Sequence, residues 1–236
     1  GWLGPWEGAC GRRRVCEGWG RSGARGVLGG RRAQSVGASV ICTPVSSNWL
    51  VDAMFGDERR TRIGSPYVIA AMEAAADLPG VVGYEANGGF LLGWQADAPA
   101  GPLPALMTRD CLLPIVAPLA AACAAGQSLT QAVAALPPLF TAADRLQGIP
   151  SETSAALIAT MTRDPLARAS RFAAQGAERG IDTTDGLRMS FAGGTVIHLR
   201  PSGNAPELRC YAEADSPATA EALVAQTLTM LQSELT

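Results

Sequence analysis

The sequence predicts an α/β domain over residues 31–140 followed by an α+β domain over residues 141–236. Two observations predict this fold class. A helix-like segment that can close at Gly37 is followed at once by the apolar, strand-like run 39–42, which is one helix-to-strand step of an α/β unit. Later, strand-like segments separated by turns lead into a long helical pattern over residues 216–231. The second part is therefore expected to be a sheet covered by a helix.

The boundary between the two domains is placed near Phe140. Residues 136–152 concentrate proline and glycine between helical patterns, as linkers do. A chain of 236 residues is long enough for two domains that each bury a core.

Residues 1–30 have a different composition from the rest. They are rich in Gly and Arg, contain three Trp and show no helical or strand periodicity. We expect this head to be disordered, or not to be native coding sequence. The alternative is an Arg/Gly arm that binds RNA or an acidic partner.

Charge and hydropathy argue against two classes of main partner, nucleic acid and membrane. Residues 1–40 hold seven Arg and two acidic residues, a net charge of +5, so the remainder carries −7 of the total of −2. An acidic body argues against nucleic acid as the main ligand. The longest apolar stretch, 111–125, is short for a membrane span and is interrupted by Pro114 and Pro118. No membrane association is expected.

Cysteine usage points to the cytoplasm. The six cysteines include no CxxC pair, and a single His198 without such a pair does not predict a zinc site. Residues 1–20 lack the continuous apolar core of a signal peptide. The later cysteines lie in expected strands or helices and are predicted to be buried, reduced thiols: Cys42, Cys111, Cys123 and Cys210.

Local signals place several elements of the first domain. Ser65 is the expected N-cap of a helix whose first residue is Pro66. In 81–94, two apolar runs flank the turn sequence ANGG and predict a hairpin. The aliphatic stretch 107–125 predicts a helix with Thr108 as N-cap and its stripe in the core, and residues 129–136 predict a second, short helix.

The second domain is predicted to open with a short helix over residues 154–161. A hairpin should follow, with its turn at Asp185 and Gly186. Asp182 and Asp185 resemble a metal pair, but DTTDG is better explained by Asx-type turn chemistry. The closing helix should bury one face: Ala220, Leu223, Val224, Leu228 and Leu231.

The loop RPSGNAP, residues 200–206, joins two expected strands and has two interpretations. Arg200 offers a planar fork of donors suited to phosphate oxygens, Ser202 adds a hydroxyl, and Gly203 lets backbone amides turn inward. Alternatively, Gly, Asn, Ser and Pro are merely the residues of a tight surface turn. The residue types alone do not choose between these two.

The hairpin turn carries the other polar pair, Glu85 and Asn87. A carboxylate beside an amide suits sugar hydroxyls, each of which both donates and accepts. A solvated turn acid is the commoner case for a Glu taken alone.

The loop RPSGNAPELRCYAEA resembles the phosphate-binding loop of the α-D-phosphohexomutases, the phosphomannomutase and phosphoglucomutase family, which usually contains Arg-Pro-Ser-Gly-Thr-Glu-Pro. The resemblance implies that a sugar phosphate is held by Arg200, Ser202, Gly203 and Asn204. Asn204 and Ala205 depart from the usual Thr and Glu. Arg209 is too far along the strand for the resemblance to assign it a role.

GYEANGG similarly resembles the sugar-recognition loop of that family, commonly Gly-Glu-x-Ser-Gly-His. Matched by position, Glu85 and Asn87 would contact ring hydroxyls. Gly89 stands where His is usual, which leaves the identity of the sugar open.

The resemblance covers residues 31–236 and implies the third and fourth domains of a phosphohexomutase, a mixed sheet with helices followed by an α+β domain. It implies interconversion of hexose 6-phosphate and hexose 1-phosphate, with mannose or glucose phosphate as substrate and Mg²⁺ as cofactor. The phosphoserine and the Asp-Gly-Asp-Gly-Asp magnesium loop of earlier domains are not in this sequence. The chain is therefore interpreted as a C-terminal fragment without catalytic residues of its own. The alternative is an inactive sugar-phosphate binding module.

Overall fold

Two five-stranded sheets dominate the computed structural model, which describes residues 37–54, 56–86, 88–98 and 101–235. The expected head, the helix expected before Gly37 and Asn87 lie outside these residues. The predicted order, a mixed α/β sheet followed by an antiparallel sheet with helices, is confirmed. The limits of the two domains stay a prediction.

The first sheet is mixed. The strands of this part of the chain are β1 (Val40–Pro44), β2 (Asp57–Thr61), β3 (Val81–Tyr84), β4 (Phe90–Leu92), β5 (Ala96–Ala98), β6 (Gly101–Leu103) and β7 (Leu106–Asp110). The sheet has the order β2-β1-β3-β4-β7, and β5 pairs with β6 separately. β1 runs parallel to β2 and β3, whereas β3–β4 and β4–β7 are antiparallel. The hairpin predicted at residues 81–94 is the β3–β4 pair.

Alternation along β1 places apolar side chains on both faces of this sheet. Val40 and Cys42 pack with Met72 on one face, and Ile41 packs with Val82 on the other. Both faces are covered because a mixed sheet with parallel strands needs helices or loops on each side.

In the described part of the chain, the helices beside the first sheet are α1 (Leu50–Met54), α2 (Ser65–Glu73), α3 (Leu113–Ala124) and α4 (Leu129–Ala134). Helix α2 begins at Ser65, one residue earlier than predicted. Its N-cap is Gly64, and no side chain caps it. The Ser65 hydroxyl is not available as a cap, since it donates to the Glu85 carboxylate. Helix α4 is present as predicted, with Ser128 and Gln131 forming a reciprocal capping box.

Helix α3 corrects two expectations. Thr108 lies within β7, and the helix begins only after Asp110, whose Oδ1 accepts from the Leu112 backbone N–H at 2.7 Å. The buried face of α3 consists of Pro114, Pro118 and Ala122. Because these small residues occupy one face at a spacing of four, the large aliphatic residues point outward. The exposed residues are Leu112, Ile115, Val116 and Leu119.

The second sheet is antiparallel, with the order β8-β12-β11-β10-β9. Its strands are β8 (Phe140–Gln147), β9 (Glu178–Asp182), β10 (Leu187–Phe191), β11 (Val196–Pro201) and β12 (Glu207–Ala214). Strand β8 was not predicted. Its flanks are rich in proline and glycine, and only Ala142 of its eight residues is buried, so the sequence lacks the apolar alternation of a strand.

One face of the second sheet packs against helices. These are α5 (Ser151–Arg163) and α7 (Pro217–Leu235); helix α6 (Pro165–Arg171) packs against α5 and is followed by a short 3₁₀ turn. The helix predicted near residues 154–161 is α5, and the five positions predicted to be buried in the closing helix are all buried in α7. The sheet contributes alternate residues to this core, such as Leu187, Leu199 and Cys210. Helix α6 was not predicted.

The cysteine expectation holds for two of four residues. Cys42 and Cys210 are buried free thiols, whereas Cys111 and Cys123 are exposed. Burial raises the pKa of Cys42 to about 11 and that of Cys210 to about 12, which keeps both protonated at neutral pH.

Candidate functional site

A cleft of about 200 Å³ lies between the two sheets. Loops of the first sheet contribute Asn48, Ile63 and Glu85 to its lining. The polar face of the second sheet contributes Arg188, His198, Arg200, Arg209, Tyr211 and Glu213. Residues from two separate sheets therefore converge on one space.

Strand alternation explains why this face is polar. Successive side chains of a strand point to opposite faces, so His198 and Arg200 point one way while Ile197 and Leu199 enter the helix-covered core. The same alternation in β12 separates Tyr211 from its buried neighbours.

Arg200 lies at the end of β11 and is 12% exposed. Its Nε is 3.5 Å from Oδ2 of Asp185, the distance of an ion pair rather than of a hydrogen bond. Among the described residues, this Nε has no hydrogen-bond partner.

Three arginines stand side by side across adjacent strands. Arg200 is directly opposite Arg209, and Arg209 is directly opposite Arg145. Like charges directly opposite one another destabilise a sheet pair. Glu207 compensates part of this charge, with Oε1 3.0 Å from Arg145 Nε and Oε2 3.4 Å from Arg209 Nη2.

The resemblance assigns no role to Arg209, but the structure places it opposite Arg200. It is nine residues from Arg200 along the chain, yet the hairpin brings the two into register. A symmetric pairing of the strands on either side of the loop would have indicated this, because such a pairing places residues at equal distances from the turn opposite each other.

The other three loop residues predicted to bind phosphate are bonded within the loop or exposed. The buried Ser202 donates its hydroxyl to Oδ1 of Asn204 at 2.9 Å, and its N–H bonds the Glu207 carbonyl at 2.9 Å. Gly203 and Asn204 are exposed. Gly203 has no positive φ, and a Cβ there would meet nothing within 4 Å, so the described structure does not itself require glycine.

Glu85 follows β3 and is 4% exposed. It accepts a hydrogen bond from the Ser65 hydroxyl at the start of α2, and its N–H bonds the Gly89 carbonyl at 2.9 Å. The solvated turn acid is therefore not what the structure shows. Asn87, its predicted partner, is outside the described residues.

His198 is a buried, neutral side chain. It is 2% exposed, stacks on Tyr211 with ring centroids 5.5 Å apart, and its Nε2 donates to the Asp185 carbonyl at 2.6 Å. Burial lowers its pKa to about 4, with the nearby cations Arg188 and Arg200 acting in the same direction.

Two carboxylates of the second sheet reach backbone amides of the first part of the chain. Oδ2 of Asp185 accepts from the Ile63 N–H at 3.0 Å, and Oε2 of Glu213 accepts from the Trp49 N–H at 3.2 Å. Glu213 also pairs with Arg188 at 3.0 Å. Burial raises the pKa of Glu213, whereas Arg188 and the Trp49 N–H favour its ionised form.

Models of two adjacent domains of one family match this chain. The alpha/beta/alpha domain III of phosphoglucomutase/phosphomannomutase matches residues 27–140, and the C-terminal domain matches residues 152–230. The chain belongs to the phosphoglucomutase/phosphomannomutase family. The resemblance seen in the two loops is thereby confirmed.

A curated member of this family, a phosphomannomutase of Sinorhizobium fredii, is 45% identical over 212 residues, 89% of this chain and 45% of its own length. The chain spans less than half the length of the curated relatives it matches. A Thermus thermophilus structure described as a phosphomannomutase has a TM-score of 0.59 at 19% identity and covers 91% of this chain and 41% of its own. An Aspergillus fumigatus N-acetylphosphoglucosamine mutase in complex with GlcNAc-6P and magnesium has a TM-score of 0.52 at 14% identity, covering 89% and 45%.

Two further features concern this family member. Within the described ranges, no group of three His, Cys, Asp or Glu side chains could hold a metal ion, and no helix is long and apolar enough to cross a membrane.

Asp182 accepts from the Thr184 N–H at 2.8 Å, which is the Asx-type turn expected from DTTDG. Asp185 does not repeat this contact and serves the ion pair and the Ile63 N–H instead.

Proposed function

We propose that this chain forms the sugar-phosphate-binding half of a phosphomannomutase-type phosphohexomutase, which interconverts hexose 6-phosphate and hexose 1-phosphate. The observation that carries the proposal is that Arg200 and Glu85, predicted to bind opposite ends of the substrate, line one cleft from two different sheets. The domain limits 31–140 and 141–236 and a cytoplasmic location belong to the same proposal.

The phosphate end is assigned to the second sheet. Arg200 and Arg209 are directly opposite each other on adjacent strands and both line the cleft, so an anion bound by both would offset the repulsion of two like charges. Arginine suits this role because its planar fork of donors matches phosphate oxygens. Gly203 and Asn204 are exposed and can offer backbone N–H groups, and Ser202 would exchange its bond with Asn204 for one to the ligand.

The sugar end is assigned to Glu85 with Asn87. The hydrogen bond from Ser65 to Oε1 orients the Glu85 carboxylate, whose oxygens can accept from ring hydroxyls. A buried and oriented carboxylate loses little freedom when a ligand arrives. The sugar is proposed to be mannose or glucose.

The chemistry itself is not assigned to described residues. Phosphoryl transfer needs a positioned nucleophile together with charge stabilisation. His198 is neutral and its Nε2 hydrogen is committed to the Asp185 carbonyl, so it does not activate a nucleophile. Magnesium is implied by the family, but no group of ligands among the described residues fits it.

A sugar-phosphate binding module without catalysis is the second candidate, favoured by the same lack of a metal-ligand group among the described residues. The two candidates differ in activity. The chain would be assayed alone and with the first half of the Sinorhizobium fredii relative added as a separate polypeptide. Mutase activity that appears only with the added half supports the enzyme, and continued inactivity of a complex that binds hexose phosphate supports the module.

Calorimetric titration of the full 236-residue chain tests the binding assignment. Arg200→Ala should weaken inorganic phosphate, mannose 6-phosphate and glucose 6-phosphate alike, by about 1.5 to 3 kcal/mol. Glu85→Gln replaces one acceptor oxygen with a donor and should weaken only the sugar phosphates.

Arg171→Ala serves as the control, because Arg171 pairs with Glu234 on the helix-covered side of the second sheet. This variant should bind all three ligands as the unaltered chain does. The assignment fails if Arg200→Ala changes none of the three affinities, or if Glu85→Gln lowers phosphate binding as much as sugar-phosphate binding.

A further inference from the structure

The turn that contains Asp185 is joined to its surroundings by three contacts of that one residue. Its carbonyl oxygen accepts from His198, its Oδ2 accepts from the Ile63 N–H, and the same Oδ2 lies 3.5 Å from Arg200 Nε. Asp185 is 14% exposed, so this carboxylate is largely withdrawn from water. A single side chain therefore contacts both the first part of the chain and the arginine assigned to phosphate.

Asp185 is also the one ion-pair partner of Arg200 within the described part of the chain. An arginine side chain has several rotatable bonds, and ordering such a side chain costs binding free energy when a ligand arrives. A carboxylate on the Nε side of the guanidinium restricts that freedom in advance. Terminal nitrogens of the fork can then serve a ligand.

The turn is also hydrogen-bonded to strand β11. The Nε2–carbonyl bond of 2.6 Å ties it to His198, which is two residues before Arg200 on the same strand. His198 is neutral and buried, so this tie does not depend on an exposed or charged side chain.

We propose that Asp185 is a positioning residue for phosphate binding. It holds the Arg200 guanidinium in its binding orientation and links Arg200 to the backbone of Ile63, between β2 and α2. This inference rests on the proposed function, since it assumes that Arg200 binds phosphate. It adds that the phosphate site is assembled partly by a contact between the two sheets.

A carboxylate close to a phosphate also repels it, so the sign of the effect distinguishes two roles. If positioning dominates, removing the charge of Asp185 weakens phosphate binding. If Asp185 instead competes with phosphate for Arg200, removing its charge strengthens binding.

The test is titration of the full chain with inorganic phosphate. Asp185→Asn retains one oxygen that can accept from the Ile63 N–H, replaces the other oxygen with a donor, and removes the negative charge beside Arg200. We expect phosphate to bind about two- to tenfold more weakly, the effect of one less ordered arginine side chain. Asp185→Glu keeps the charge and should recover part of the affinity.

Asp182→Asn is the matched control. It removes the same charge from the same turn, and Asn can keep the Asx-type bond to the Thr184 N–H. Because the Asp182 carboxylate serves the Thr184 N–H rather than Arg200, phosphate affinity and its salt dependence should equal those of the unaltered chain. A loss in both variants would indicate a general disturbance of the turn, since removing a negative charge by itself favours an anion, and would overturn the proposal.

The double variant Asp185→Asn/Arg200→Ala separates positioning from a general structural effect. If Asp185 acts through Arg200, the Asp185 substitution has no further effect on phosphate affinity once Arg200 is gone. An undiminished further loss, or tighter phosphate binding by Asp185→Asn alone, overturns the inference and leaves the phosphate site of Arg200 standing. No effect of Arg200→Ala, or no phosphate binding by the unaltered chain, overturns the proposed site and this inference together.

Discussion

Gly186 and Leu199 lie so close together that a Cβ at position 186 would stand 2.2 Å from the Leu199 carbonyl oxygen and 2.7 Å from the Arg200 Cβ. Gly186 also has a φ of +88°, a conformation that residues with a Cβ rarely adopt. Glycine is therefore required here for two independent reasons. Both concern the strand that carries Arg200.

Replacing Gly186 by Ala should destabilise the protein by about 2 to 5 kcal/mol, the combined effect of a left-handed conformation and an overpacked contact. Gly194→Ala is a control with a similar φ of +84° and nothing within 4 Å of the added Cβ. It should cost only about 1 to 2 kcal/mol. Urea unfolding monitored by circular dichroism measures both, and equal losses would show that the contact with Leu199 does not constrain the turn.

The stability of the second sheet should depend on His198 in mild acid. The pKa of His198 is lowered to about 4 from an ordinary 6.5, so between these values the unfolded chain binds more protons than the folded one. The contribution of His198 to the free energy of unfolding is then fully present above pH 6.5 and is lost as the pH drops toward 4. Because one pKa unit corresponds to about 1.4 kcal/mol, the loss across this window is about 3 kcal/mol.

His198→Gln should make the free energy of unfolding less dependent on pH, whatever the stability of the variant at pH 7. The free energy of unfolding in urea would be measured at intervals from about pH 7 to about pH 4 for both proteins. Glu213, whose pKa is raised by burial, acts in the opposite direction and is present in both, so it cancels in the comparison. Identical slopes for the two proteins would refute a buried, neutral His198.

Arg168 should contribute more to stability than any exposed ion pair of the same sheet. It is buried, its Nη1 donates to the Met161 carbonyl at 2.6 Å, and its Nε and Nη2 bind both oxygens of Glu178 at 2.6 and 2.8 Å. Arg168→Ala leaves carbonyls of the last turn of α5 and a carboxylate without their partner, at a cost of about 3 kcal/mol or more.

Arg171→Ala removes an arginine of the same helix that forms a bidentate pair with the more exposed Glu234. It should cost at most about 1 kcal/mol. Thermal or urea unfolding compares the two variants directly. The argument for a buried structural arginine would not survive if the ranking were reversed.

The sequence was sufficient wherever local signals and the tertiary environment agree. Five buried positions of helix α7 were predicted because its apolar residues repeat at helical spacing and face a sheet. The hairpin around residues 85–89 followed from an Asn-Gly turn between two apolar runs. The residues predicted in two loops, Arg200 and Glu85, line one cleft.

The sequence was insufficient where position depends on what packs from elsewhere. The apolar stripe of α3 is exposed because the small face of that helix is buried, and composition alone favours the opposite. Strand β8 has almost no buried side chain and owes its place to pairing with β12 along eight residues. Asp185 was assigned to its turn, but its contacts with Ile63 and Arg200 are long-range and leave no local signal.

The two carboxylate contacts between the sheets share a property that affects how this protein tolerates substitution. In the first part of the chain, the partners of Asp185 and Glu213 are main-chain N–H groups, those of Ile63 and Trp49. Every amino acid except proline supplies that N–H. A substitution at position 49 or 63 other than proline therefore keeps the N–H group that bonds to the second sheet. Asp185 and Glu213, in contrast, must each keep an acceptor oxygen that reaches this N–H group.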